Sequence, residues 1–298
     1  MAGRIFITGA TSPLGRRVVQ YLAHTDREIR VAVHTHAKEE YVKMTGVQTV
    51  PFEYGDFATI DRALEGVETL FLLTPIAREQ VEFTRRIIDR AQLWGVSHIV
   101  KISMMGVDDF PGIQFTRWHK QSEIYIEKSG IAYTFIRPNA MMQNFVRYVQ
   151  PAGSFIYLPL DDAAVSYIDM RDVARFCAEV ILRAQEFQGC RFELTGPQAL
   201  TPEDIAMTIT KAVGYHISYI DISEETSLHV LESTGMAQWL AKGFVELYSL
   251  QRSGRFGETT TDFEKIIQRK PHTFEAFVRD YSNIFKAIIQ QEHHTFLR

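Results

Sequence analysis

A glycine-containing turn near the start of the chain has the residue types and spacing of a phosphate-binding loop. An apolar run, IFIT at residues 5–8, leads through Gly9 into a turn and then through Gly15 into a helix with one apolar face. Gly9 allows a sharp turn, Gly15 allows the helix to pack closely on the strand, and free amides at the helix N-terminus attract a pyrophosphate. This placement between a first strand and a first helix predicts a dinucleotide site. The residues predicted to form it are Gly9, Thr11, Ser12, Leu14 and Gly15.

The residues that follow the second predicted strand bear on which dinucleotide is bound. An NAD-specific site usually carries an acid there, which bonds the ribose hydroxyls. Residues 31–38, VAVHTHAK, contain no acid, and His34, Lys38 and Arg16 are placed to approach a 2′-phosphate. Solvated side chains without a ligand are the alternative for each of the three. The absent acid favours NADP(H) over NAD(H), and the stretch 31–38 around the HxH pair contains no acid or cysteine that would complete a metal site.

The elements that must position this loop alternate between strand and helix through the first half of the chain. Their apolar runs are continuous, which is typical of strands buried on both faces of a parallel sheet. The predicted strands are 4–8, 29–34, 47–52, 69–73, 98–103 and 133–137, and the predicted helices are 78–94, 115–128 and 169–182. The alternation predicts an α/β fold, a Rossmann-type doubly wound parallel sheet.

The pattern changes after about Pro151, where Pro151, Gly153 and Pro159 interrupt the chain. A strand at 191–195 precedes a helix that Thr201 would cap, and the last hundred residues are mostly helical in pattern. We therefore expect an NAD(P)-binding core at 1–153 and a mixed region at 154–298. The second region would be a smaller substrate lobe, with a segment at about 163–196 returning to the core, and would form a lid over the carboxyl ends of the strands.

Composition excludes several classes of protein. The 298 residues carry a net charge of −4, which argues against nucleic-acid binding through a general basic surface. The sequence has no signal-peptide pattern and no apolar run of the roughly 18 residues that span a bilayer. Its two cysteines lack CxxC spacing. These features favour a cytoplasmic protein with no metal, no membrane and no direct nucleic-acid partner.

Several segments together resemble the NmrA-like family of atypical short-chain dehydrogenases/reductases. They lie along nearly the whole chain at 8–11 (TGAT), 55–57 (GDF), 72–75 (LLTP), 98–103 (HIVKIS), 129–138 (SGIAYTFIRP), 142–144 (MQN), 168–174 (IDMRDVA) and 194–197 (LTGP). The resemblance implies NAD(P) binding and a relation to quinone oxidoreductases.

The resemblance also implies roles for particular residues. Asp56 and Phe57 match a pair that contacts adenine, and Thr74 and Pro75 match a loop that passes the nicotinamide side of the cofactor. Four further residues fall at positions where related proteins build the wall of the substrate pocket. They are Met141, Met142, Asn144 and Phe145, and a plain core helix is the alternative for them.

The usual catalytic pair of the superfamily is missing. Typical members use Tyr-x-x-x-Lys, in which the tyrosine transfers a proton, and the matching positions here are Phe115 and His119. His119, with an unperturbed pKa of about 6.5, could transfer a proton or bond the nicotinamide ribose, or it could be a helix histidine without a ligand. Glu123 would share its helix face and orient the imidazole. Ser103, at the end of its strand, could bond a substrate carbonyl or simply form a turn.

Two functions follow from these observations, and the sequence favours the first. The first is an NADPH-dependent reductase, an oxidoreductase that transfers hydride to a small apolar acceptor such as a quinone or an enone. Such acceptors need little help from an acid, because conjugation stabilises the product anion. The second is a non-enzymatic NAD(P)(H) redox sensor of the NmrA type that acts through a protein partner, an alternative that Phe115 keeps open. A homodimer also stays open.

Overall fold

The parts of the chain that the computed structural model describes, residues 3–150 and 155–290, contain ten strands and twelve α-helices. The strands are β1 (Arg4–Ile7), β2 (Ile29–Val33), β3 (Val47–Pro51), β4 (Val67–Leu72), β5 (His98–Ile102), β6 (Ala132–Pro138), β7 (Val149–Gln150), β8 (Phe155–Leu158), β9 (Arg191–Leu194) and β10 (Ser218–Asp221). The helices are α1 (Pro13–Leu22), α2 (Phe57–Leu64), α3 (Gln80–Leu93), α4 (Gln114–Lys128), α5 (Phe145–Tyr148), α6 (Met170–Leu182), α7 (Pro202–Val213), α8 (Glu224–Ser233), α9 (Gln238–Arg252), α10 (Asp262–Ile267), α11 (Phe274–Asp280) and α12 (Ser282–Gln290).

Seven parallel strands form the main sheet in the order β3-β2-β1-β4-β5-β6-β9. Helices α1 and α6 pack together on one face, whereas α3 contacts both α2 and α4 on the other. This arrangement confirms the predicted Rossmann-type doubly wound α/β fold. The strand order reverses at β1, which has β2 on one side and β4 on the other. Open α/β sheets bind ligands beyond the carboxyl ends of the strands at such a switch point.

The predicted elements differ from the observed ones mainly at their ends. Strand β4 begins at Val67, two residues earlier than predicted, because buried Val67 pairs with Arg4 of β1. Helix α3 begins at Gln80, two residues later than predicted, which leaves a longer loop after β4. That longer loop forms part of the candidate site.

The second half of the chain both returns to the main sheet and builds a smaller unit. Strand β9 joins the main sheet, and α6 packs against that sheet. Strands β7, β8 and β10 form a separate three-stranded sheet, against which α7 packs. A distinct apolar core within this smaller unit includes Phe145, Tyr167 and Phe274. The predicted chain break at Pro151 and Gly153, with the boundary after residue 153, lies outside the described residues. The division into two domains stays a prediction.

Candidate functional site

The glycine turn between β1 and α1 has a backbone that side chains would disrupt. Gly9 has φ +63°, and a Cβ on it would lie 2.6 Å from Leu73 O. A Cβ on Gly15 would lie 2.2 Å from Gly9 O, far inside van der Waals contact. Ser12 caps the helix, since its Oγ accepts a hydrogen bond from Gly15 N at 3.0 Å. The sequence interpretation of both glycines therefore agrees with the local geometry.

Thr8 joins the end of β1 to the loop after β4. Its Oγ1 accepts from Leu73 N at 2.9 Å and lies 3.2 Å from Leu73 O, a donor–acceptor pair that fixes the two chain segments together. Because Thr8 is fully buried, water does not compete for these bonds. The loop at residues 73–76 consequently has a fixed position beside the glycine turn.

A cavity of about 730 Å³ opens at this edge of the sheet. Its walls come from the glycine turn, from the ends of β2 and β3, from the loop after β4 and from α3. The lining residues are Gly9, Thr11, Ser12, Ala32, His34, Phe52, Glu53, Tyr54, Gly55, Leu73, Thr74, Pro75, Ile76 and Phe83. The structure thus brings six of the predicted cofactor residues together, namely Gly9, Thr11, Ser12, His34, Thr74 and Pro75.

Two other predicted residues of the glycine motif support the cavity without lining it. Leu14 is 5% exposed and packs in the core between the sheet and α1. Gly15 allows α1 to approach the turn. The side chain of Lys38 lies outside the described residues, and the guanidinium of Arg16 lies over the ring of Tyr41, 5.5 Å from its centroid.

The segment after β3 contributes residues that sequence reasoning missed. Asp56 does not line the cavity, because its Oδ1 accepts from Ala58 N at 2.9 Å and caps α2. Phe57 is 51% exposed, and the guanidinium groups of two arginines lie over its ring. The cavity is lined instead by the four preceding residues, 52–55, because β3 ends at Pro51 and the chain turns directly over the site. Adenine contact by Asp56 and Phe57 stays a prediction.

His34 has an acidic partner in the cavity wall. Its Nδ1 lies 2.8 Å from Glu53 Oε1, and both side chains are about half exposed. The sequence argument for NADP(H) was the absence of an acid after β2, but Glu53 brings a carboxylate to that position from the end of β3. An argument based on β2 alone could not identify this acid, because Glu53 lies 19 residues after His34 in the sequence.

His119 contacts two polar side chains from other elements. Its Nδ1 lies 3.0 Å from Lys101 Nζ of β5, and its Nε2 lies 3.3 Å from the amide nitrogen of Gln80 in α3. Burial lowers the pKa of His119 well below its usual value, and the positive charge of Lys101 lowers it further. The imidazole is therefore neutral near pH 7, and the unperturbed value used in the sequence argument does not describe His119 in its folded surroundings.

Glu123 does not orient His119, and that expectation is wrong. The fully buried Glu123 carboxylate accepts two hydrogen bonds from Arg137 of β6, at 3.0 and 2.6 Å. Burial of a carboxylate is costly unless the carboxylate is paired with a cation. The planar guanidinium of Arg137 is such a cation and offers two parallel donors, whereas the imidazole of His119 is neutral. Burial opposes the charge of Arg137, but Glu123 and Asp108 together raise its pKa above the usual value.

Phe115 occupies the position of the missing tyrosine and is part of a packed aromatic group. It is 7% exposed, and its ring centroid lies 5.5 Å from that of Phe244 and 6.0 Å from that of Trp118. A Cβ on Gly243 of α9 would lie 2.7 Å from the Phe115 ring. Helix α9 therefore packs directly on the start of α4.

Two buried hydroxyl groups have no hydrogen-bond partner among the described residues, and one of them, that of Tyr54, belongs to a residue that lines the cavity. Ser103, directly after β5, is 3% exposed, and its Oγ has no partner among the described residues. Tyr54 Oη lies beside Thr8 but also makes no hydrogen bond of ordinary geometry there, and burial raises the pKa of Tyr54 to about 12. An unsatisfied buried hydroxyl destabilises a protein by about 1–3 kcal/mol, which a bound polar ligand would relieve.

The predicted pocket-wall residues lie elsewhere. Met142 and Phe145 are at most 1% exposed and belong to the core of the smaller unit, as the core-helix alternative describes. Met141 is half-buried against the main core, and Asn144 is exposed. None of the four lines the described cavity, and their contact with substrate stays a prediction.

Residues 3–150 and 155–290 contain neither a cluster of metal-binding side chains nor a membrane-spanning helix. No group of three or more histidine, cysteine or acidic side chains in that part of the chain is arranged to hold a metal ion. No helix there combines the length and apolar character needed to cross a membrane.

The chain belongs to the NmrA-like family, whose model matches residues 1–281. It is 29% identical over 286 residues to an NAD(P)H azoreductase from Xenophilus azovorans, covering 95% of this chain and 99% of that one. An NADPH-dependent quinone oxidoreductase from Escherichia coli, solved in complex with NADPH, superimposes with a TM-score of 0.86 at 28% identity, over 94% of this chain and 99% of that one. The family resemblance inferred from the sequence motifs is confirmed.

A structure of the negative transcriptional regulator NmrA in complex with NADP has a TM-score of 0.77 at 15% identity, covering 98% of each chain. At that identity the similarity shows the shared fold alone.

Proposed function

We propose that this protein is an NADPH-dependent reductase that transfers a hydride to a small conjugated acceptor such as a quinone or an enone. The observation that carries the proposal is the glycine turn, where a Cβ on Gly15 would overlap Gly9 O, opening onto a cavity of about 730 Å³. Ligand sites commonly have volumes of about 300–1,000 Å³. Two similar proteins are named as an NAD(P)H azoreductase and an NADPH-dependent quinone oxidoreductase, which supports the same reaction class.

The residues present fit a nicotinamide dinucleotide. The backbone amide of Thr11 and the N-terminus of α1 would hold the pyrophosphate, and residues 52–55 would hold the adenosine end. The loop at residues 73–76 would pass the nicotinamide end. When bound, the nicotinamide supplies the hydride, and the protein supplies position and a dry site.

The preference for NADP(H) over NAD(H) is part of the proposal. His34, Arg16 and Lys38 are the cationic groups at or near the end of β2, and a protonated His34 would bond a 2′-phosphate. Glu53 opposes this preference, because its carboxylate is 2.8 Å from His34 and would repel the phosphate. We therefore expect a modest preference that depends on this pair.

The acceptor would be bound by neutral hydrogen-bonding groups. Ser103 Oγ, which lacks a partner among the described residues, would donate to the carbonyl oxygen of the acceptor. His119 is uncharged near pH 7, so it would stabilise the developing oxyanion by a hydrogen bond rather than by transferring its own proton. The conjugated product anion would take its proton from solvent. Phe115 therefore does not prevent turnover.

The alternative is the redox sensor, for which Phe115, packed at 7% exposure in the tyrosine position, is the supporting observation. In that case the cofactor would bind without being consumed and a protein partner would respond to it. A homodimer, a protein partner and a cytoplasmic location stay predictions.

The proposal is tested by measuring NADPH oxidation against a panel of quinones, enones and azo dyes. We expect turnover with at least one conjugated acceptor, and a fall in kcat of about 10²-fold in His119→Ala, the loss typical of one transition-state donor. His229→Ala, which changes an exposed histidine of α8, is the matched control and should leave kcat unchanged. Tight NADPH binding with no turnover on any acceptor would support the sensor instead.

A further inference from the structure

Lys101 is a fully buried amine in the middle of the main sheet. It is 0% exposed on β5, paired with Leu72 of β4 and Phe135 of β6, neither of which can share its charge. Lysine is almost never fully buried without polar partners. Two are found among the described residues, since Nζ lies 2.8 Å from Ile102 O and 3.0 Å from His119 Nδ1.

The charge state of Lys101 constrains the imidazole. An ammonium group has three donors and no acceptor, so Nδ1 of His119 must accept from it and cannot carry a proton. A neutral imidazole then carries its proton on Nε2. We propose that Lys101 is a positioning residue that holds His119 in the Nε2-protonated tautomer, so that Nε2 is a hydrogen-bond donor. This inference deepens the proposed function and rests on it for the role of His119 in turnover, but not for the tautomer itself.

Within the described residues, the charged side chains that affect Lys101 bind one another rather than its amine. On α4, Glu123 raises the pKa of Lys101, but its carboxylate is bound to Arg137 of β6, whose own charge lowers that pKa. Asp108 bonds Arg137 on its other side, at 2.6 Å. Helix α3 presents the amide of Gln80 to the far nitrogen of His119, with the amide nitrogen 3.3 Å from Nε2. Because that nitrogen can only donate, the Nε2-protonated tautomer requires the amide to turn so that its oxygen accepts from Nε2. The imidazole of His119 is therefore the side chain that accepts a hydrogen bond from Lys101 Nζ.

The direction of this hydrogen-bond chain depends on pH. Burial is the largest effect on Lys101 and lowers its pKa to about 7. Once Lys101 loses its proton, the amine nitrogen can accept from Nδ1–H, and Nε2 becomes an acceptor for the amide N–H of Gln80. The donor on Nε2 should therefore be present below pH 7 and lost as the pH rises through that value.

Nitrogen NMR of the full chain tests this inference directly. In ¹⁵N-histidine-labelled wild-type protein, long-range ¹H–¹⁵N correlations distinguish the two neutral tautomers, and the signals of His119 are identified by their loss in His119→Gln. We expect protonated Nε2 at pH 6 and a change towards protonated Nδ1 by pH 9. Protonated Nδ1 at pH 6, or a tautomer that does not change with pH, would overturn the proposal. This measurement needs no variant of Lys101.

The variant Lys101→Met supplies a second, functional test. It keeps most of the volume of the side chain and removes the donor, so we expect a mixture of His119 tautomers. In the wild type, kcat should fall between pH 6 and pH 9 as the Nε2 donor is lost, whereas in Lys101→Met it should not. His98, whose Nε2 lies 2.9 Å from Thr134 Oγ1 at the other end of the strand, is the internal control and should keep its signals. A wild-type tautomer pattern in Lys101→Met would contradict the proposal.

The two proposals fail in distinguishable ways. If no acceptor is reduced but the His119 tautomer follows the pH as expected, the reductase proposal fails and the role of Lys101 stands. If turnover is found but Nδ1 of His119 is protonated at pH 6, the reverse holds.

Discussion

At the scale of single residues, desolvation determines what the candidate site can do. His119 and Lys101 are in contact, and burial is the largest effect that lowers the pKa of each. A site with neutral donors suits an acceptor whose reduced form is already stabilised by conjugation. It would serve poorly for a reaction that requires a strong acid at the transition state.

Ser103→Ala should separate stability from activity. The buried Oγ lacks a partner among the described residues, so its removal should leave the free energy of unfolding unchanged or raise it by about 1 kcal/mol. If Ser103 donates to the acceptor, kcat/KM should fall by about 10²-fold. Urea unfolding and steady-state kinetics measure the two effects.

Ser122→Ala is the control for Ser103→Ala. Ser122 is also fully buried, but its Oγ accepts from Thr84 Oγ1 at 3.2 Å, so the alanine variant should be destabilised. Equal destabilisation of the two variants, with unchanged kcat/KM in Ser103→Ala, would remove Ser103 from the account.

Glu53→Gln should increase the preference for NADPH. The change removes the carboxylate 2.8 Å from His34 and leaves the imidazole free to bond a 2′-phosphate. Because both side chains are about half exposed, we expect the ratio of the NADH and NADPH dissociation constants to rise by only about two- to fivefold. Calorimetric titration with both cofactors measures the ratio. Glu82→Gln, which changes an exposed acid on α3, should leave it unaltered, and an equal shift there would implicate net charge alone.

At the scale of elements, the turn from β1 into α1 is the most constrained part of the site. Its path is fixed by the left-handed backbone of Gly9, by the close approach of Gly15 and by the bonds of Thr8 to the loop after β4. The loop that would pass the nicotinamide is therefore held by the same residues that shape the phosphate site.

Gly15→Ala should weaken binding of either dinucleotide by at least about tenfold. The added Cβ would lie 2.2 Å from Gly9 O, so α1 must move away from the turn and its amides with it. Fluorescence titration of NADPH measures the loss. Gly112→Ala is the control, since the space around that exposed glycine is open and its φ is ordinary. Unchanged NADPH affinity in Gly15→Ala would mean that the cofactor does not use this turn.

At the scale of the whole molecule, α9 joins the later part of the chain to the helix that carries His119. Gln114 N at the start of α4 donates to Glu246 Oε2 at 2.7 Å, and Gly243 allows α9 to lie against Phe115. Arg78, in the loop after β4, lies over the ring of Trp239 at the start of α9, 5.5 Å from its centroid. Helix α9 therefore contacts α4, which carries His119, and the loop that leads into α3, which carries Gln80.

Gly243→Ala should affect the acceptor and not the cofactor. A Cβ there would lie 2.6 Å from Gln114 Nε2 and 2.7 Å from the Phe115 ring, which forces α9 away from α4. We expect KM for the acceptor to change severalfold, with the dissociation constant of NADPH unchanged. Steady-state kinetics and a binding titration compare the two quantities. A parallel loss of NADPH affinity would show that the position of α9 does not affect the acceptor independently of the cofactor.

The sequence predicted the sheet and the glycine turn because both are local: buried parallel strands are continuous apolar runs, and Gly9 and Gly15 lie in one turn. The partners of His119 could not be predicted in the same way. Lys101 lies 18 residues before His119, on a strand that was predicted only as a buried part of the sheet. Glu123 was expected from helix spacing to orient His119, but its carboxylate binds Arg137 instead. Contacts between elements depend on packing, which periodicity does not report. Glu53 was missed for the same reason.

Single-turnover kinetics test the central claim most directly. Wild-type protein loaded with one equivalent of NADPH, deuterated at the transferred position, is mixed with a quinone in the absence of oxygen. The account predicts that NADPH disappears as an equal amount of hydroquinone forms, more slowly with the deuterated cofactor than with the ordinary one. NADPH that stays bound and unoxidised in the presence of every acceptor would contradict the account and leave cofactor sensing as the function.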